Sequence, residues 1–258
     1  MKLVESLIVG VVILSALVGS SMGASAETLD GFVAGSYTAK NGYALQYRLY
    51  SPEIEDGKTY PLIVHLHGAG SWGDNNEAQL GQAKRLVRSD YPAFILAPKT
   101  VRPMKWVDLD WKQTGHHQPE QVGLSLEATH ELLLKLLNET REIDSSRVYA
   151  NGQSMGGYGT WDLITRYPEM FAAAVPVCGG GDVEKMPRLQ TMPLWVFHGA
   201  KDTVVPVQNS RELVAALEAV GNKHVTYTEY PDRGHDAWVP AYNNDQLFSW
   251  LFDQRKGK

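Results

Sequence analysis

Residues 148–160 read Val148-Tyr149-Ala150-Asn151-Gly152-Gln153-Ser154-Met155-Gly156-Gly157-Tyr158-Gly159-Thr160. The stretch Arg147–Asn151 has the composition of a buried strand, and Gly156–Tyr167 that of a helix directly behind it. Between them, Gly152-Gln153-Ser154-Met155-Gly156 matches G-x-S-x-G. Alone, that pattern is weak. Set between strand and helix, it is the turn that a nucleophilic serine needs. Glycines stand where the chain doubles back, the hydroxyl is lifted above the sheet edge, and the Met155 N–H opens a helix toward a developing oxyanion.

Working outward, strand and helix signals alternate. A turn at Lys40-Asn41-Gly42 separates Phe32–Thr38 from Tyr43–Tyr50 and predicts an opening hairpin. Leu62–His67 and Phe94–Ala97 are short apolar runs suited to strands buried on both faces. A helix is predicted over roughly Ser125 to Glu142, with Leu126, Leu133, Leu136 and Leu137 on one side and a Glu131–Lys135 pair on the other. Beyond the serine, Phe171–Val177, Leu194–His198 and His224–Tyr230 read as strands. Ser210–Val220, closed by Gly221, and Asp245–Phe252 read as helices. Such alternation predicts a mostly parallel central sheet with helices on both faces.

A serine hydroxyl needs a base to become a nucleophile, and the base needs a group to orient it. Asp202 follows the strand Leu194–His198, and His235 follows the strand His224–Tyr230. Both lie on loops after strand C-termini, where an open α/β sheet builds its site. The order Ser154, Asp202, His235 is the one expected for a G-x-S-x-G turn in this setting. A second oxyanion donor is expected in the loop after Leu62–His67. There His67-Gly68-Ala69-Gly70 offers the Ala69 N–H, or failing that the Gly70 N–H. Asp182, after the preceding strand, is the alternative acid.

The remaining histidines compete poorly. His198 and His224 fall within strands, His130 on the apolar side of a helix, and His116-His117 are adjacent. His65-x-His67 could hold zinc, but no third ligand has suitable spacing, so no metal is expected. Cys178, the single cysteine, reads as a small buried residue with no basic neighbour to activate it, and it cannot make an internal disulfide.

The chain of 258 residues is 43% hydrophobic and 21% charged, with 24 Gly and 13 Pro, which excludes disordered, collagen-like and disulfide-stapled classes. A net charge of −5 argues against nucleic acid as a partner. Lys2, the apolar stretch Leu7 to Val18 and Ala24-Ser25-Ala26 form a signal-peptide pattern. Residues 1–26 are therefore expected to be removed, leaving residues 27–258 as one domain that is secreted or periplasmic, with no stable membrane partner. An uncleaved anchor is the competing reading, since Ser6 to Ala26 carries no charge.

Gly152–Tyr158, Trp161, the segment His198–Asp202 with Val205-Pro206, and Gly234–Trp238 together resemble the α/β-hydrolase superfamily. Within it they resemble the secreted bacterial esterases related to dienelactone hydrolase, feruloyl esterase and polyhydroxybutyrate depolymerase. The resemblance covers nearly all of residues 27–258. It implies ester hydrolysis through an acyl-Ser154 intermediate, with no cofactor and a small-molecule or polysaccharide-linked ester as substrate. Serine here replaces the cysteine nucleophile of dienelactone hydrolases proper, and the disulfides usual in secreted depolymerases are impossible. A serine peptidase of prolyl-oligopeptidase-like type, a polyester depolymerase and a non-catalytic binding protein are the rival readings. A cap inserted after the sixth strand of this fold would have to lie within Cys178 to Met192, only 15 residues, so no cap domain is expected. The long insertion is Lys99 to Gly123, 25 residues. Its Trp106 and Trp111, with Trp72 near the oxyanion loop and Trp238 beside His235, are expected to form an aromatic wall for an aryl or acyl group.

Overall fold

The structure, a computed structural model, describes residues 27–73 and 75–257. The signal-peptide reading of residues 1–26 lies outside them. Among the described residues nine strands form a single sheet: β1 (Thr28–Leu29), β2 (Phe32–Thr38), β3 (Ala44–Tyr50), β4 (Tyr60–Leu66), β5 (Phe94–Pro98), β6 (Ile143–Gln153), β7 (Ala173–Val177), β8 (Leu194–Gly199) and β9 (Val225–Tyr230). Their spatial order is β1-β2-β3-β5-β4-β6-β7-β8-β9. The first three strands are antiparallel, and β3 joins β5 antiparallel. From β5 onward every neighbour is parallel.

Side-chain alternation along the parallel strands separates two cores. Leu62, Val64, Val148, Ala150, Leu194 and Val196 face one way, toward α2 (Leu124–Glu139), α3 (Met155–Arg166) and α4 (Gln208–Ala219). Ile63, Ile95, Tyr149, Val175 and Phe197 face the other way. There they meet α1 (Leu80–Ala83), α5 (Trp238–Tyr242) and α6 (Asp245–Asp253). The expected mostly parallel sheet with helices on both faces is thus present. Between β7 and β8 the chain adds only a short 3-10 helix, Val183–Leu189.

One expected surface pair is absent. Glu131 does not meet Lys135, because the β2–β3 hairpin reaches it first. Its carboxylate accepts from the Tyr37 hydroxyl at 2.9 Å and the Lys40 N–H at 3.0 Å. Lys135 instead donates to Glu139, one turn on, at 2.6 Å. The spacing suits a helix surface, but groups from another element hold Glu131 instead.

Candidate active site

Ser154 sits between β6 and α3 with φ 57° and ψ −121°, a backbone conformation that side-chain-bearing residues rarely adopt. Its N–H donates to the Val177 carbonyl at 2.9 Å, which ties the strained turn to the neighbouring strand β7. Ser154 is largely covered, with 9% of its surface exposed.

The loops after β8 and β9 are laced together. The Ala200 N–H donates to the Tyr230 carbonyl and the Lys201 N–H to the Arg233 carbonyl, both at 2.9 Å. This lacing sets Asp202 against His235. Asp202 Oδ2 lies 2.6 Å from His235 Nδ1, and His235 Nε2 lies 2.8 Å from Ser154 Oγ. A carboxylate can only accept, so Nδ1 carries the proton and Nε2 presents its lone pair to the serine hydroxyl. The other Asp202 oxygen accepts from the Val204 and Val205 N–H groups, each at 2.9 Å. Burial alone would push this carboxyl up. Hydrogen bonds from His198, His235 and Val205 more than offset that and hold it well below the usual carboxylate range. The result is a hydroxyl, an imidazole and an ionised carboxylate in line, equipped to move a proton from Oγ to Nε2.

Met155 and Ala69 each begin a helical turn, the first in α3 and the second in a one-turn 3-10 helix, Ala69–Ser71. Neither N–H is used by the turn it opens. The two loops are in close contact. A Cβ built on Gly68 would stand 3.2 Å from the Gln153 carbonyl oxygen and 3.4 Å from Ser154 Cβ. His67 stiffens the loop from beneath. Its Nε2 accepts from the Thr100 N–H at 3.1 Å, and its Nδ1 lies 2.9 Å from the Gly68 carbonyl. Burial pushes the His67 imidazole down to about 4, so it stays neutral.

Several expectations are refined. Trp106 is fully buried and donates from its ring to the His67 carbonyl at 2.9 Å, so it supports the loop from behind and is not part of an aromatic wall. Sequence spacing could not reveal which way an insertion residue turns. The other three tryptophans are partly exposed. Trp238 stands edge-on to His235 at 5.2 Å, and Trp72 lies 6.0 Å from Trp111. Tyr158, one turn beyond Ser154, donates to the Trp111 carbonyl at 3.3 Å and so ties that pair to α3. Asp182, the alternative acid, is engaged elsewhere. It accepts from the Gln118 N–H at 2.8 Å and the Glu184 N–H at 2.9 Å, pinning the insertion.

His65 and His67 do not share a face. His65 packs against Tyr242 and His67 against Trp106, because the strand ends at Leu66 and His67 turns away. Cys178 does have a basic neighbour in space. Its sulfur and the ligand atoms of Asp202 and His235 lie within 4.8 Å of one another. Burial pushes the thiol far up, so it remains protonated and is no rival to Ser154. His198, passed over as a strand residue, lies with Nε2 3.4 Å from Asp202 Oδ2. The signal for it was its place four residues before Asp202.

Residues 52–244 match the family model described as Phospholipase/Carboxylesterase. A solved structure of a thermostable esterase is 39% identical, with a TM-score of 0.80 over 88% of this chain and 64% of that one. An uncharacterized secreted protein of Arthroderma benhamiae is 27% identical over 68% of this chain and 21% of its own length. The bifunctional acetylxylan esterase/xylanase XynS20E of Neocallimastix patriciarum is 22% identical over 83% of this chain and 29% of its own. The chain thus spans less than a third of these two curated relatives and just under two thirds of the esterase structure.

Proposed function

The chain belongs to the phospholipase/carboxylesterase family of α/β-hydrolases, an esterase-type family, and on that premise we propose that it is a secreted serine carboxylesterase. The observation that carries the mechanism is the unbroken line from Ser154 Oγ through His235 to Asp202, with links of 2.8 and 2.6 Å. His235 takes the Ser154 proton as Oγ attacks the ester carbonyl carbon. The carbonyl oxygen becomes an oxyanion held by the Met155 and Ala69 N–H groups. Collapse of this intermediate expels the alcohol, which His235 protonates, leaving an acyl-Ser154 ester. Water, deprotonated by His235, attacks that ester, and the acid departs as Ser154 recovers its proton. Asp202 keeps the imidazole in the required tautomer and stabilises its charged form.

Trp72, Trp111 and Trp238 support an aryl-bearing or polysaccharide-linked ester as substrate, since these partly exposed rings stand beside His235 and, as the Trp72–Trp111 pair, next to Tyr158 of α3. The β7–β8 connection carries only the Val183–Leu189 3-10 helix, which suits a chain-attached substrate. The acetylxylan esterase relative agrees with that class, and the secreted relative agrees with export directed by residues 1–26.

A panel of p-nitrophenyl esters, feruloylated and acetylated oligosaccharides and peptide anilides tests this reading. Esters are expected to be cleaved at least about 100-fold faster than anilides at equal concentration, read as kcat/KM. Comparable rates on peptide anilides would transfer the reading to a peptidase. A strong preference for short soluble esters over oligosaccharide-linked ones would remove the polymer from it.

A further inference from the structure

His198 is the second histidine on Asp202, and nothing in the reaction above uses it. It sits near the end of β8, and its side chain is fully buried, as is that of Asp202. Its Nδ1 lies 2.7 Å from Ser210 Oγ in α4. Its Nε2 lies 3.1 Å from the Val205 carbonyl oxygen. A carbonyl can only accept, so Nε2 carries a proton. That proton also faces Asp202 Oδ2 at 3.4 Å, the same oxygen that receives the His235 proton at 2.6 Å. One carboxylate oxygen therefore faces two imidazole N–H groups, that of His235 from the loop after β9 at hydrogen-bond distance and that of His198 from β8 at 3.4 Å.

Resting on the serine mechanism above, we propose that His198 is a positioning residue that fixes the Asp202 carboxylate and limits how much of its charge reaches His235. Two effects follow from the geometry. The Val205 carbonyl, anchored by His198, closes the turn whose N–H groups hold the other Asp202 oxygen. The Nε2–H dipole draws electron density from Oδ2, so His235 Nδ1–H sees a weaker acceptor than an unshared carboxylate.

Other groups face this pair. Cys178 approaches Asp202 from the end of β7. Tyr158 approaches from α3. Glu229 lies opposite His198 on β9, with its charge engaged by Arg211 at 2.6 and 2.9 Å and by the Tyr227 hydroxyl at 2.8 Å. None of these groups is itself exchanged with His198, so they form a common background for the variants.

Two polar substitutions separate positioning from mere packing. In His198→Asn the carboxamide reaches Ser210 but falls short of Oδ2. In His198→Gln an N–H reaches the position of Nε2. His198→Asn is expected to lower kcat about tenfold or more with KM within about twofold. It should also move the acid limb of the kcat/KM profile to higher pH, because Oδ2 then serves His235 alone and the imidazolium holds its proton longer. His198→Gln is expected to restore most of kcat and return the limb toward its original pH. Variants that lose melting temperature while keeping an unmoved pH profile and kcat would overturn the proposal. If both variants fail to fold, the wild-type protein decides. Its His198 Nε2–H resonance should shift when a fluorophosphonate on Ser154 loads a proton onto His235, and a resonance that stays still would overturn it. Ser154→Ala in the same assay keeps the two ideas apart. If Ser154→Ala is active, the serine mechanism fails; if it is inactive while His198→Asn behaves as wild type, only the positioning role fails.

Discussion

Ser154→Ala is expected to lower kcat on a p-nitrophenyl ester by about 10⁵-fold or more, while the protein folds as before. The size follows from the roles meeting at one atom. Oγ forms the covalent bond, and its loss also leaves the His235 Nε2 lone pair with no proton to take. The oxyanion donors and the bound substrate geometry persist, so a residue of about 10³-fold over the uncatalysed rate should survive. Thermal unfolding should change little, because alanine keeps the backbone and Ser154 Oγ bonds only to His235 among the described residues. Steady-state rates at high enzyme concentration, beside a melting curve, check both halves. A loss smaller than about tenfold would mean that the hydroxyl is not the attacking group.

Among the described glycines, Gly156→Ala is expected to be the most damaging change to alanine. A Cβ there would stand 1.8 Å from the Leu66 carbonyl oxygen, 2.5 Å from the Leu66 carbonyl carbon and 2.9 Å from the His67 carbonyl oxygen. All three are backbone atoms, so no side-chain rotation can relieve the clash. Helix α3 would have to retreat from the end of β4 by more than an ångström, opening the packing of Met155, Leu66 and Trp106. The expected cost is about 4 kcal/mol or more, a large part of the total stability of a domain this size. Urea denaturation of the two proteins measures it. The fraction that still folds should be a poor esterase, because Leu66 and His67 lead directly into the loop bearing Ala69. A variant destabilised by under about 1 kcal/mol with full activity would show that the two backbones are not in contact.

Much of this was legible along the chain. Strand and helix alternation needed only composition and period, and the G-x-S-x-G turn announced itself through glycines whose requirement is local. Asp202 and His235 were legible because strand ends in a parallel sheet all point to one rim. What escaped depended on how distant loops fold back. His198 lies in a buried strand, and only the return of residues 202–205 over it reveals its contact with Asp202. Cys178 lacks a basic neighbour in sequence and gains one through the loop after β9. Trp106 and Trp111 are five residues apart in one irregular segment, yet one is fully buried behind His67 and the other partly exposed. No periodicity governs such a segment, so the direction of each ring is set by the surfaces it meets.

The central claim, that Ser154 is the activated nucleophile, is tested most directly by a fluorophosphonate probe followed by mass spectrometry of the digested protein. The expected result is one adduct per chain, carried on the peptide containing Ser154, with none on Ser154→Ala under the same conditions. An adduct on another residue, or an unlabelled wild-type protein, would contradict it.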